Sequence, residues 1–277
     1  MNFNITLRKL FITILIILIL ISTLFPVYWM LSSSFKTDSE ITSFTLSWIP
    51  KKITLSHYRD LFTKFQLHKY LFNSIIIAVT TTVISLIFGV MAAYGFSRYN
   101  FPGSSILLFL LILVRVFTPA ALVLPLYRVV AFLGLNDNPF SIVIGVTTLN
   151  LPFVVYMMKS FFDNFPKEIE EAAMIDGMSD LRILISVVIP LVVPAIVTVA
   201  LFSFTSGWND FLFGISFSQT IKSMPATVAI ANMDTQYKIY WGAMMSGGIV
   251  FSIPILLITF IFQRYFIKGI TIGALKE

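Results

Sequence analysis

Few side chains in this sequence carry chemistry. The two histidines, His57 and His68, stand eleven residues apart in one polar segment and read as surface residues without partners for a metal or a catalytic pair. There are no cysteines, which excludes disulfides, thiolate zinc sites, thiol nucleophiles and iron–sulfur clusters. No G-x-x-x-x-G-K-S/T phosphate loop occurs, so any ATP that drives this protein is hydrolysed on another polypeptide. Two features remain. One is Arg115, alone in a long apolar run about eleven residues from its start, or roughly 16 Å along a straight helix. An arginine at that depth is costly and faces the protein interior, where it lines a pathway or pairs with another chain.

The other is the segment 166–194, PKEIEEAAMIDGMSDLRILISVVIPLVVP. Pro166 suits a first helical turn, and Glu168, Glu170 and Glu171 set negative charge near the positive end of the helix dipole. Gly177 stops the helix after Asp176. The helix is too short and too polar to cross a membrane. Its small residues, Ala172 and Ala173, let another backbone come close, so it reads as a docking surface or, more simply, as an amphipathic connector.

The elements that must position these residues are membrane spans. Only 12% of the 277 residues are charged, 57% are hydrophobic, and the mean hydropathy is +0.91. Soluble domains carry about 25% charged residues, so an ordinary cytosolic enzyme is excluded. A helix needs roughly 20 apolar residues to cross the hydrocarbon core. Five charge-free stretches qualify: Leu10–Phe35, Tyr70–Ser97, Pro139–Met158, Ile183–Trp208 and Ile239–Phe262. Phe101–Tyr127 makes a sixth, interrupted by Arg115. The first is too long for a signal-peptide core and runs into Phe25-Pro26-Val27-Tyr28-Trp29, so it reads as a retained span.

Between the first two spans, Leu55, Tyr58, Leu61, Phe62 and Phe65 recur at helical spacing and predict a short amphipathic helix at the interface. Pro119, Pro125, Pro190 and Pro194 predict kinks whose freed carbonyls need protein or water. Gly242, Ala243, Ser246 and Gly247 predict close packing of the last span, and the connection 216–240 is too long for a tight turn. Lysine and arginine fall nine on each side of the spans, so charge bias leaves the orientation open. The net charge of +6 is scattered singly, which suits anionic lipid and not nucleic acid. Acidic residues are almost absent from the spans, so a relay of proton-carrying carboxylates is missing.

The spacing in the segment 166–194 is specific. Glu171-Ala172-Ala173, three residues, Gly177, nine residues, then Val187-x-Ile189-Pro190 resembles the EAA loop of ABC-transporter permease subunits, with Val for Ile and Ile for Leu as the two departures. Other segments resemble the second of the two unlike permease chains of maltose-type carbohydrate importers. They include Thr54–Arg59, Asn73-Ser74, Ala93–Gly103, Pro125–Tyr127, Gly134-Leu135, Trp208–Phe211 and the tail from Gln263 to Gly269. The likeness runs over roughly residues 50–277.

That resemblance implies an all-α polytopic membrane protein of six spans with a cytoplasmic coupling helix, at about 166–178, between spans four and five. Residues 1–69 would hold the first span and an extracytoplasmic interfacial segment, 70–267 the permease core, and 268–277 a cytoplasmic tail. Glu171, Ala172, Ala173, Asp176 and Gly177 would seat the coupling helix in an ATPase groove. Arg115, Trp208 and Asn209 are candidates for the substrate pathway. The expected partners are a second, non-identical permease, a cytoplasmic ATPase dimer that binds the ATP and magnesium, an extracytoplasmic solute-binding protein and membrane lipid. The chain itself would need no cofactor. It would sit in a bacterial or archaeal cell membrane with both termini cytoplasmic and carry a sugar. A phosphorylated polyol or another small solute, an ion-coupled transporter and a structural anchor are the alternatives.

Overall fold

The computed structural model describes the backbone of residues 2–274 and the side chains of residues 8–263; the expected tail 268–277 lies partly outside the described residues. Among the described residues fourteen α-helices follow in order. They are α1 Asn2–Ser34, α2 Asp38–Ile41, α3 Ser56–Thr63, α4 Leu67–Arg98, α5 Ser104–Val114, α6 Pro119–Phe132, α7 Pro139–Asp163 and α8 Lys167–Ile175. Then come α9 Asp180–Ile183, a π-helical turn Leu184–Val188, α10 Ile189–Leu191, α11 Val193–Trp208, α12 Leu212–Phe217, α13 Ala226–Ala231 and α14 Trp241–Ala274. Among the described residues extended pairing is confined to one bridge, Asp234 with Ile239.

Among the described residues four helices are long and apolar enough to cross a membrane, in α1, α4, α7 and α14. The expected third and fifth spans are bent pairs, α5 with α6 at 103° and α9–α10 with α11 at 86°, and the total reaches six when each pair counts as one crossing. The sequence explains both bends. Pro119 stands at the first position of α6, and a proline disfavours the helical conformation in the residue before it. Thr118 is accordingly extended (ψ 136°) and breaks the run just beyond Arg115. Pro190 lacks an N–H and crowds the carbonyl four residues back; the π-helical turn before it absorbs that misfit. Val192 then leaves the helical region (ψ 14°) ahead of Pro194.

The chain divides into two compact units. In the first, Met1–Leu67 with Ile230–Ile253, the end of α1 carries a polar and aromatic knot. Ser32 Oγ and Tyr28 OH both donate to the Trp48 carbonyl at 2.9 Å, and Lys36, 2% exposed, donates to the Ser47 carbonyl (2.6 Å) beneath the Trp29 ring. The expected amphipathic helix is α3, with Leu61 buried and Phe62 outward. His57 departs from the surface role expected for it. It is buried, its Nε2 donates to the Lys36 carbonyl at 2.8 Å, and its ring packs on Gly242. Gly242 supplies the close packing expected of the small residues in α14: a Cβ there would lie 2.2 Å from the ring.

In the second unit, His68–Ala229 with Pro254–Glu277, α4, α7, the π-helical turn and α11 share a core of Val90, Ala93, Tyr94, Val154, Met158, Phe162, Val188 and Val199. Ala173 of α8 packs on this core as well. Asp137 ties the connection after α12 in place. Its carboxylate accepts from the backbone N–H groups of Gln219 and Thr220, both at 2.9 Å, and from the Thr220 and Ser223 hydroxyls. Burial pushes this carboxyl up, yet those donors outweigh it and hold it well below the usual carboxylate range.

Candidate functional site

Helix α8 is two-faced, as its sequence requires. Residues three apart share a helix face, and Glu170 and Ala173 are the buried pair while Glu171, Ala172, Ile175 and Asp176 lie open. Ile169 and Met174 are also exposed, and Ile175 is 88% exposed, so an apolar strip flanked by acids faces away from this chain. Gly177 ends the helix in the left-handed region (φ +79°), where a side chain is strained. The Met178 N–H then closes on the Ala173 carbonyl (3.1 Å) and the Gly177 N–H on that of Met174 (3.0 Å), a helix stop that satisfies the last carbonyls.

The buried face is held by an ion pair that the sequence pattern did not single out. Arg98 grips the Glu170 carboxylate through Nε (3.0 and 3.1 Å) and Nη2 (2.6 Å), and the Tyr94 hydroxyl donates to the same group at 2.8 Å. Glu170 is 3% and Arg98 10% exposed. Beside them Ser97 Oγ donates to Asp163 (2.6 Å), which also pairs with Lys159, and Tyr99 OH donates to Asp180. That last bond, and burial behind it, raises the Tyr99 hydroxyl above its ordinary value.

A cavity of about 450 Å³ opens in the same unit, lined by residues that include Arg115, Asn150, Ser206, Asn209 and Asp210. Arg115 caps the end of α5 at the bend, so it stands at a corner and not inside the straight span expected for it. Its guanidinium lies 5.0 Å from the Phe153 ring centre, and among the described residues it makes no ion pair. Asn150 is buried and donates to Ser85 Oγ at 3.0 Å. Asp210 accepts from the Gly214 N–H (2.8 Å) and so caps α12. The cavity therefore brings a cation, the Asp210 carboxylate, and amide and hydroxyl groups together on a largely apolar wall, which suits a polar, hydroxylated solute.

The sequence-predicted residues are distributed accordingly. Arg115 and Asn209 share the cavity. Trp208 is fully buried, with its ring stacked on Phe204 at 5.8 Å, and it is not among the residues that line the cavity. Glu171, Ala172, Asp176 and Gly177 are exposed on α8 and its stop, and Ala173 turns inward. Glu170, Arg98, Tyr94 and Ile175 are the additions that the structure makes.

Residues 85–272 match the family described as the binding-protein-dependent transport system inner membrane component. The trehalose transport system permease protein SugB of Mycobacterium tuberculosis is 36% identical over 255 residues, covering 91% of this chain and 92% of that protein. The trehalose/maltose transport system permease protein MalG of Thermococcus litoralis is 32% identical over 273 residues, 98% of each chain. The sulfoquinovosyl glycerol transport system permease protein SmoH of Agrobacterium fabrum is 32% identical over 259 residues, covering 94% and 91%. A solved bacterial ABC transporter involved in the import of the acidic polysaccharide alginate shares the fold, with a TM-score of 0.81 over 94% of this chain and 97% of its own at 24% identity.

Proposed function

Since this chain belongs to the binding-protein-dependent transport system inner membrane components, we propose that it forms half of the pathway of a sugar ABC importer. A second, non-identical permease supplies the other half. An ATPase dimer in the cytoplasm holds and hydrolyses ATP with its magnesium, and a solute-binding protein outside delivers the sugar. Both termini and α8 face the cytoplasm. The relatives named for trehalose, maltose and sulfoquinovosyl glycerol support a carbohydrate as the cargo. They lend no support to an ion-coupled carrier or to a polyol phosphate.

The observation that carries this reading is α8, a nine-residue helix anchored on one side and open on the other. Ile169, Ala172 and Ile175 offer an apolar strip that fits a shallow groove, and Glu171 and Asp176 meet basic groups on the ATPase. An exposed ion pair contributes only ~0–1 kcal/mol, so shape at Ala172 matters at least as much as charge. Closure of the ATPase dimer displaces α8, and the spans rock about the cavity at Arg115 and Asn209.

The test is reconstitution. The complex of both permeases and the ATPase, in proteoliposomes with its binding protein, should accumulate one of a panel of labelled sugars only with ATP. Ala172→Trp should insert normally but lose the ATPase on gel filtration, along with uptake. Sugar accumulation by this subunit alone, or an Ala172→Trp complex that stays intact and transports normally, would overturn the proposal.

A further inference from the structure

The end of α4 holds more than one acid. Tyr94, Ser97 and Arg98 occupy its last turns and Tyr99 follows directly, and their acidic partners come from three successive helices. Ser97 bonds Asp163, the last residue of α7; Tyr94 and Arg98 bond Glu170 in α8; Tyr99 bonds Asp180, the first residue of α9. The α8 segment is thus fastened before, within and after the helix, each time to the same short stretch of α4.

Apolar contact accounts for only part of this attachment: Ala173 of α8 is buried, and Phe165 before the helix and Met178 after it pack on the same core. Within α8 itself one alanine offers little area to fix an angle against a load, so the directional contacts set its orientation. A guanidinium fork on a carboxylate fixes angle as well as distance, and a buried pair of this kind is better suited to registry than to stability.

We propose that the end of α4, through Tyr94, Ser97, Arg98 and Tyr99, clamps α8 so that α4 and the coupling segment move as one rigid body. Glu170 and Arg98 are then positioning residues that hand a displacement of α8 to the second span. This rests on the reading of α8 as the coupling helix, and the experiment separates the two.

The native chain has no cysteine, so in a complex whose partner subunits are freed of theirs, spin labels at Met91→Cys on α4 and Glu168→Cys on α8 report one distance. It is measured by pulsed electron resonance without nucleotide and after trapping with ATP, magnesium and vanadate. The clamp predicts one narrow distance, the same in both states. Glu170→Gln, or the milder Arg98→Lys and Tyr94→Phe where the first fails to assemble, should broaden or shift it while the ATPase stays bound. A parent distance that changes on trapping, or variants as narrow as the parent in both states, would overturn the clamp. An Ala172→Trp complex that keeps its ATPase would instead overturn the coupling reading and leave the distance measurement standing.

Discussion

Arg98→Ala removes the positive half of a pair that has almost no access to water. The guanidinium makes three contacts of 2.6–3.1 Å with Glu170, whose side chain is 3% exposed. Without it the carboxylate keeps one donor, the Tyr94 hydroxyl at 2.8 Å. Breaking a buried pair by deleting one partner costs about 3–5 kcal/mol, because a charge is left uncompensated. At 2–4 °C per kcal/mol for a chain near this size, the melting temperature should fall by roughly 6–20 °C. Heating in detergent followed by size-exclusion chromatography, or the fluorescence of the four tryptophans, measures this. The double variant Arg98→Met with Glu170→Leu should recover most of the loss, since apolar replacement of a buried pair is often neutral. A single variant that melts with the parent would refute the reasoning. So would a double variant no better than the single, which would assign the loss to the arginine stem.

Three further outcomes are expected. Arg115→Leu should weaken uptake or assembly while insertion stays normal or improves, because the arginine costs roughly 2.5–3.5 kcal/mol at the midplane on insertion scales; a lone cysteine at 115, labelled from water and protected by substrate, would place it on the pathway, and a fully active, assembled variant would end that reading. Asp137→Asn should lower stability by about 1–2 kcal/mol after solvent screening. The folded carboxyl sits below its unfolded value, so its contribution is present above ~pH 4 and fades as pH falls through the folded value; equal melting of parent and variant at pH 7 would contradict it. Gly242→Ala should cost about 1–3 kcal/mol by overpacking, since the new Cβ meets a His57 ring held by its bond to the Lys36 carbonyl; unchanged melting would show that the ring yields.

The long spans were legible because hydropathy needs no knowledge of neighbours, and α1, α4, α7 and α14 lie where the apolar runs predict. The bends were half legible. Pro119 and Pro190 announced a disturbance, but composition alone does not distinguish a kink from a turn of 103°. His57 was misjudged because its burial depends on a glycine some 185 residues away in the sequence. Glu170, and not its neighbour Glu171, makes the buried contact, and a signal for this lies in the sequence. Consecutive residues on a helix point about 100° apart, so two adjacent glutamates do not share a role. Glu170, three before Ala173, belonged to the inner face. Its partner Arg98 stands in another segment, and no local pattern links the two.

Helix α1 follows a different logic from the rest. Its most apolar window has none of its residues buried within this chain, and side chains such as Ile14, Leu18 and Ile21 are about half exposed. The order of residues there carries no information for the chain's own packing; hydropathy and length suffice to place it in lipid. Any selection on which leucine or isoleucine stands where must then be imposed from outside, by lipid or by a neighbouring polypeptide. Drift along that window of α1 therefore records the company this protein keeps, whereas Tyr28, Trp29 and Ser32 at the helix end answer to the chain's own packing.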